Sequence, residues 1–323
     1  MRTLLIAFVT VIGISVTGSS AHAQTPTRVV RLGLLTGLSP SPFQETFVRA
    51  LADHGYVEGK NLLVYRRFAE AHMDRLAPLA DELIRLKIDV VFTPGAPATR
   101  VMAKASRAIP IIALDLETDP VAEGIVAGIA RPGGNVTGVF LDLADMRGKH
   151  LDFLRDVVPG LKRLAVLRDP NTSLEPLRAI ERAARAHSIE LQIAEARNTS
   201  DLTLAFASIA AGNPQALLVI GSPLIFLNRE RIVAFARERR LPAITHFREF
   251  ADAGGLFSYG PNLHEIFRRA SAYVPRILQG ANPGDLPIER PEKYELVVNE
   301  RAAAALGITI PTRLRMLADE IIR

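Results

Sequence analysis

Five short stretches of this chain combine small and polar residues with a helical pattern that follows at once: Thr36 to Pro42, Thr93 to Pro97, Glu117 to Pro120, Asp169 to Ser173 and Gly221 to Pro223. A helix start leaves backbone N–H groups without intrahelical acceptors, so several such starts around one crevice favour a carboxylate or other anion. Asp119 and Asp169 have the opposite preference and suit an ammonium group. A zwitterion satisfies both through charge-assisted hydrogen bonds at its two ends. These residues have a second use, since Ser41 and Asp119 are good helix caps and capping alone would account for them. Phe43, Phe247, Phe257 and Tyr259 offer either apolar walls to a ligand or ordinary core packing.

Catalytic signatures are missing. There is no G-x-S-x-G elbow and no G-x-G-x-x-G fingerprint. Gly55-Tyr-Val-Glu-Gly59-Lys60-Asn61 has the outline of a Walker A loop but is one residue short and ends in Asn, so it reads as a helix stop and turn. The seven histidines, at 22, 54, 72, 150, 187, 246 and 264, form no H-x-x-x-H pair. His246 stands at a strand end next to the crevice and reads as a satisfied structural histidine. The absence of cysteine removes disulfides, thiol nucleophiles, thiolate metal sites and a lipobox cysteine together. No cofactor or metal is expected.

The elements that must hold these loops alternate in type. Apolar, β-branched runs separated by helical patterns indicate α/β architecture with parallel strands buried on both faces. Strands are expected at Val29 to Leu35, Leu62 to Arg66, Val90 to Thr93, Ile109 to Leu114 and Val136 to Leu141. A second five follow at Leu164 to Leu167, Leu191 to Ala194, Leu217 to Ile220, Ala243 to His246 and Leu256 to Tyr259. Arg31-Leu-Gly-Leu-Leu35 answers Arg163-Leu-Ala-Val-Leu167 at the same offset at which Ile109-Pro-Ile-Ile112 answers Leu241-Pro-Ala-Ile244. Two similar parallel-sheet domains, rather than one ten-strand sheet, follow from this repeat. Ser41-Pro42-Phe43-Gln44 has the form of a capping box that opens a helix burying Phe43, Phe47 and Leu51. Asp119-Pro120 is expected to cap another helix, running toward the Arg131 to Asn135 turn.

A formal charge of +5, from 39 Lys+Arg against 34 Asp+Glu and with no basic block, indicates solvated surface rather than a nucleic-acid footprint. Arg2, the uncharged apolar run Thr3 to Val16 and Ala21-His22-Ala23 form a secretory signal peptide over residues 1–23, with the mature chain starting near Gln24. The run falls short of the roughly 20 residues of a membrane-spanning helix, so the expected product is a soluble periplasmic protein and not a lipoprotein.

Several stretches, read together, resemble the ABC-transporter substrate-binding family often described as tryptophan/tyrosine transport binding proteins. They are Gly55 to Asn61, Ile109 to Ile112, Asp119-Pro120, Ala130-Arg-Pro-Gly-Gly-Asn-Val-Thr-Gly138, Arg248-Glu249-Phe250 with Ala253-Gly-Gly-Leu-Phe-Ser-Tyr-Gly260, Arg268 to Ala270 and Leu306 to Pro311. The resemblance implies the type I periplasmic-binding-protein architecture, two similar Rossmann-like domains joined by a hinge, with no catalysed reaction. It implies domain one at residues 28–143 plus 257–284 and domain two at 146–255 plus 288–323. A small-molecule ligand, an amino acid or related carboxylate, would bind between them and pass to an inner-membrane ABC permease driven by its ATPase. By position, Ser41, Gly95, Ala96, Thr118, Asp119, Asp169, Asn171 and Ser222 would line the pocket, Tyr259 would stand near the hinge, and Phe43 and Phe247 would supply walls. The chain has no Trp and its crevice loops hold few aromatics, which leaves the side chain of the ligand open. Two other classes stay open beside this one: a periplasmic sensor domain feeding a signalling receptor, and a secreted α/β hydrolase.

Overall fold

The structure, a computed structural model, describes residues 28–115, 119–140 and 144–323. In chain order the elements are β1 (Val30–Thr36), α1 (Pro42–Ala50), β2 (Leu62–Phe68), α2 (Leu76–Arg85), β3 (Val90–Pro94), α3 (Ala96–Ala105), β4 (Ile111–Asp115) and β5 (Val136–Phe140). There follow α4 (Ala144–Val157), β6 (Arg163–Arg168), α5 (Glu175–Ala186), β7 (Glu190–Glu195), α6 (Asp201–Ala211), β8 (Ala216–Val219), α7 (Pro223–Leu227), α8 (Arg229–Glu238), β9 (Ala243–Thr245), α9 (Arg248–Asp252) and β10 (Phe257–Gly260). The chain ends with α10 (Leu263–Ser271), α11 (Tyr273–Leu278), β11 (Glu295–Asn299), α12 (Glu300–Leu306), α13 (Thr312–Leu317) and β12 (Glu320–Ile322).

The strands form two sheets, ordered β2-β1-β3-β4-β5 and β12-β11-β10-β9-β8-β6-β7. The first is parallel throughout, and in the second only the β10–β11 pair is antiparallel. Alternation along the strands sends neighbouring residues to opposite faces. Leu32, Leu34 and Phe92 pack with α1, α10 and α11 on one face of the first sheet, while Leu35 and Val91 pack with α2 and α3 on the other. In the second sheet Leu164 and Val166 pack under α4 and α5, and Ala165 and Leu167 under α6 and α8. Every residue of β3 and β5 is buried, including Thr93 and Thr137, as strands covered on both faces require. The expected helix on Phe43, Phe47 and Leu51 is present, all three are buried, and Phe47 stacks on Phe92 at 3.8 Å.

Two expectations about chain crossing change. Residues 257–284 were assigned to the first domain, but β10 lies in the second sheet, with Phe257 paired to Val298 of β11 and to Ile244 of β9. Leu256 and Phe257 find their burial there against Leu296 and Val298. The chain crosses after Gly260, and α10 then covers the first core with Leu263, Ile266, Phe267 and Ala270. The return crossing is also later than residue 288: Glu289 N–H donates to Gly138 O and Phe140 N–H to Glu289 O, which keeps this segment on β5 of the first lobe. The signal-peptide residues lie outside the described residues. Among the described residues no helix is long and apolar enough to cross a membrane.

Candidate functional site

The carboxyl ends of β1, β3, β8 and β9 face one another across the two lobes and enclose an apolar cavity of about 60 Å³. Its walls include Ser41 and Phe43 at the start of α1, Gly95, Ala96 and Pro97 at the start of α3, Ser222 and Phe226 from the α7 turn, and Phe247 after β9. Leu263 and Phe267 of α10 close it. The helix starts are set by local chemistry. The N–H and Oγ of Ser41 both donate to Gln44 Oε1, at 2.5 and 2.6 Å. Gly95 precedes α3 at φ +102°, a conformation that glycine alone adopts easily. Ser222 Oγ accepts from Ile225 N–H at 3.1 Å. Below, Thr36 Oγ1 donates to Pro94 O and Thr93 Oγ1 meets Thr99 Oγ1, so the strand ends carrying these loops are pinned by buried hydrogen bonds.

Aromatic rings meet across the cleft. Phe43 of the first lobe lies edge-on to Phe226 of the second at 5.8 Å and beside Phe267 at 5.7 Å, and Phe226 is edge-on to Phe247 at 5.2 Å. The crevice is therefore rich in aromatics, contrary to the reading of its loops. Phe226 and Phe267 stand on helices, where a sequence reads an aromatic as core, and Leu263 and Phe267 share a face by their i, i+4 spacing.

A second, polar chamber of about 600 Å³ shares Pro97 and Pro223 with the first as a neck. It is lined by Asp169, Asn171, Arg197, Ser200 and Arg231 of the second lobe and by Glu70 to Met73 of the first. Asp169, only 6% exposed, accepts from Asn171 N–H at 2.9 Å and from the Ser222 hydroxyl. Burial pushes its carboxyl above the ordinary carboxylate range despite those hydrogen bonds, and the charge of Arg168 opposes the shift less than they do. The Arg168 guanidinium is engaged with Glu195 at 2.6 Å and with Thr172 O. Among the described residues no cation is within ion-pair distance of this buried carboxylate, and Arg168 acts on it only from farther away.

Ser41, Phe43, Gly95, Ala96, Ser222 and Phe247 thus share the apolar cavity, while Asp169 and Asn171 share the polar chamber. Thr118 lies outside the described residues. Asp119 is exposed, and its Oδ1 accepts from Val121 N–H and Ala122 N–H at 2.9 and 3.2 Å; it ties down a turn where a helix was expected, and it lines neither chamber. Tyr259 sits away from both, against Phe153 and Tyr294 beside the crossing after β10. The Walker-like segment is a turn, in which Asn61 holds Val57 N–H and Gly55 O.

His246 departs from expectation as well. It is fully buried, yet neither ring nitrogen has a hydrogen-bond partner. Burial, then the charge of Arg147, holds its pKa far below the ordinary imidazole value. His150, beside it, is likewise neutral, pushed down to about 3 by burial and by Arg147. Its Nε2 lies 2.6 Å from Tyr259 O, so Nε2 carries the proton and Nδ1 faces Arg147 Nη1 at 3.4 Å. His246 packs against Gly221, where a Cβ would lie 2.1 Å from its Cε1 and 2.5 Å from Phe247 Cε2. The missing side chain at 221 is what seats Phe247 in the cavity wall.

Comparison with known proteins agrees with this geometry. The family model described as ABC transporter substrate binding protein matches residues 40–322. A curated relative, the tyrosine-binding protein of Clostridioides difficile (strain R20291), is 25% identical over 267 residues, covering 81% of this chain and 75% of its own. A conserved domain protein from Vibrio cholerae O1 biovar eltor superposes with a TM-score of 0.84 at 23% identity, over 91% of this chain and 100% of that one. The ABC domain in complex with L-Trp from Streptococcus pneumonia superposes with a TM-score of 0.83 at 22% identity, over 91% of this chain and 99% of that one. With two parallel-sheet lobes, a cleft between them and a family match over nearly the whole described length, this chain belongs to the ABC transporter substrate-binding protein family.

Proposed function

We propose that this protein is the periplasmic receptor of an ABC importer and that it binds an α-amino acid with an apolar or aromatic side chain in the cleft between its lobes. The observation that carries the ligand class is Asp169, a buried carboxylate with no cation at ion-pair distance, in the chamber that adjoins a phenylalanine-lined cavity at Pro97 and Pro223. Burying an isolated charge is costly, and an arriving ammonium removes that cost with a charge-assisted hydrogen bond. The side chain of the ligand enters between Phe43 and Phe226 and exchanges a ring–ring contact for ring–ligand contacts on both lobes. The α-carboxylate sits at the neck, against the free N–H groups that open α3 beside Pro97. The tyrosine and L-Trp in the names of the relatives support this class.

Function then follows from geometry without a chemical step, as fits a family of binding proteins rather than enzymes. Contacts from both lobes are complete only when the lobes close, so ligand shifts the population toward the closed form. A permease that reads the closed form, powered by its ATPase, would accept the cargo. Export by the N-terminal segment places the receptor in the periplasm, and the mass of the periplasmic form should correspond to a start near Gln24. Calorimetry of the mature protein against the proteinogenic amino acids tests the ligand class. Micromolar dissociation, about 8 kcal/mol, is expected for one or more apolar or aromatic members, with about 2.7 kcal/mol of added stability at a hundredfold excess over Kd. Binding of none of them, or only of sugars or anions without an ammonium group, would overturn the reading.

A further inference from the structure

The polar chamber is far larger than a free amino acid requires. If the side chain fills the apolar cavity, only the ammonium on Asp169 and the carboxylate are left to face the chamber. Where one water needs about 10–15 Å³ of such space, their four heavy atoms take up roughly 40–60 Å³ of about 600 Å³.

The far wall of that space has its own chemistry. Arg197 and Arg231 both line it, and among the described residues neither has a carboxylate partner. Arg231 is held in place by its Nη1 donating to Thr199 O at 3.1 Å, and Asn171 ties the Arg197 carbonyl at 3.3 Å. The acidic residue opposite, Glu70, is engaged with Arg75 of its own lobe. Glu70 and Ala71 both adopt positive φ, 53° and 67°, in a turn closed by His72 N–H to Ala69 O. That is an unfavourable conformation for two residues with side chains. The chamber therefore joins the Pro97–Pro223 neck to two arginines that have no carboxylate partner among the described residues.

We infer that the cleft takes amino acids extended at their carboxyl end, of which a dipeptide with an apolar or aromatic first residue and a free C-terminal carboxylate is the simplest member. The first residue binds as a free amino acid does. Its carbonyl, now a peptide carbonyl, faces the α3 N–H groups, the second residue passes the Pro97–Pro223 neck, and the terminal carboxylate reaches Arg197 and Arg231. This deepens the amino-acid reading above and rests on it.

The test uses the mature full-length protein and six probes, L-Phe, L-Tyr and L-Trp with Phe-Gly, Tyr-Gly and Trp-Gly, in calorimetry at low ionic strength. The dipeptide of whichever amino acid binds should match or exceed it in affinity by up to about tenfold, as charge-assisted contacts at a partly exposed site allow. The Arg197→Gln/Arg231→Gln double variant should lose that gain while its affinity for the free amino acid stays within about twofold. Amidation of the dipeptide's C-terminus should mimic the double variant. A dipeptide at least tenfold weaker than its amino acid, or a dipeptide affinity indifferent to both arginines, would overturn the inference and leave the amino-acid function standing. Failure of all six probes would instead remove the amino-acid reading, and this inference with it.

Discussion

Replacing Asp169 with Asn separates a ligand contact from a structural one, because the two roles predict opposite signs. The carboxylate is 6% exposed, accepts from Asn171 N–H and the Ser222 hydroxyl, and has a pKa raised above 3.8 in the folded protein. A raised pKa in the folded state means that the native form holds its proton more tightly than the unfolded chain. The associated stability is present below pH 3.8 and is lost as pH rises through the folded value, so at neutral pH the charge costs stability. Asn is the same size, keeps an oxygen that both donors can use, and removes the cost. The unliganded variant should therefore be as stable as the parent at pH 7 or slightly more so. Binding should move the other way. Loss of a hydrogen bond between ionised partners costs about 1.5–3 kcal/mol, a Kd increase of roughly ten- to hundredfold. Denaturant titration of the unliganded protein and calorimetry with the best-binding amino acid measure both quantities, and 3-phenylpropionate, which lacks the ammonium group, is the control whose weak binding should not depend on the substitution. In the parent, affinity should also decline as acid titrates Asp169, beginning above the ordinary carboxylate range. An unchanged Kd in Asp169→Asn, or a fall in stability without a fall in affinity, would refute the assignment of the ammonium to this residue.

Other substitutions probe the remaining parts of the cleft. Asp119→Asn should leave affinity within about twofold of the parent, because Asp119 is exposed and accepts only from its own turn, where Asn caps almost equally well; a tenfold loss in calorimetry would contradict that. Phe226→Ala removes the edge contact to Phe43, about 0.5–1.5 kcal/mol, and should shift the closed-to-open ratio of the unliganded protein by roughly two- to twelvefold, seen as a larger radius of gyration in solution scattering. Gly221→Ala places a methyl group against His246 and Phe247 and should cost about 1–3 kcal/mol in urea unfolding, with weaker binding as Phe247 leaves its seat; wild-type stability and affinity would show that the segment relaxes freely. His150, held down to about 3, should show no imidazole titration by NMR between pH 8 and 4. Because the unfolded chain takes up that proton near pH 6.5, the stability it contributes is present above 6.5 and is lost by about 1.4 kcal/mol per pH unit as pH falls from there toward 3.

Local chemistry was enough to place much of this protein. Alternating apolar runs and helix starts set the α/β class, and the repeat of Arg31 to Leu35 in Arg163 to Leu167 anticipated two sheets, because each run must be covered on both faces wherever it occurs. Ser41, Gly95, Ala96 and Ser222 were legible as crevice residues because a helix start after a parallel strand always lies at the same end of the sheet. Tertiary structure decided the rest. The strand repeat put Leu256 to Tyr259 in the second five, but nothing local shows its pairing with β11, which stands more than 30 residues away and depends on where Leu296 and Val298 find burial. Asp119 and Asp169 look alike as ammonium partners in the sequence, and only the packing of the second lobe around Asp169 leaves it buried with no cation at ion-pair distance while Asp119 stays in solvent. Phe226 and Phe267 read as core on their own helices, and they become walls of the cleft only because the chain crosses between the lobes and brings α7 and α10 together on Phe43. Side-chain type and spacing set what each element can bury, but a site between two lobes is made of contacts distant in sequence, and those exist only once both cores have formed.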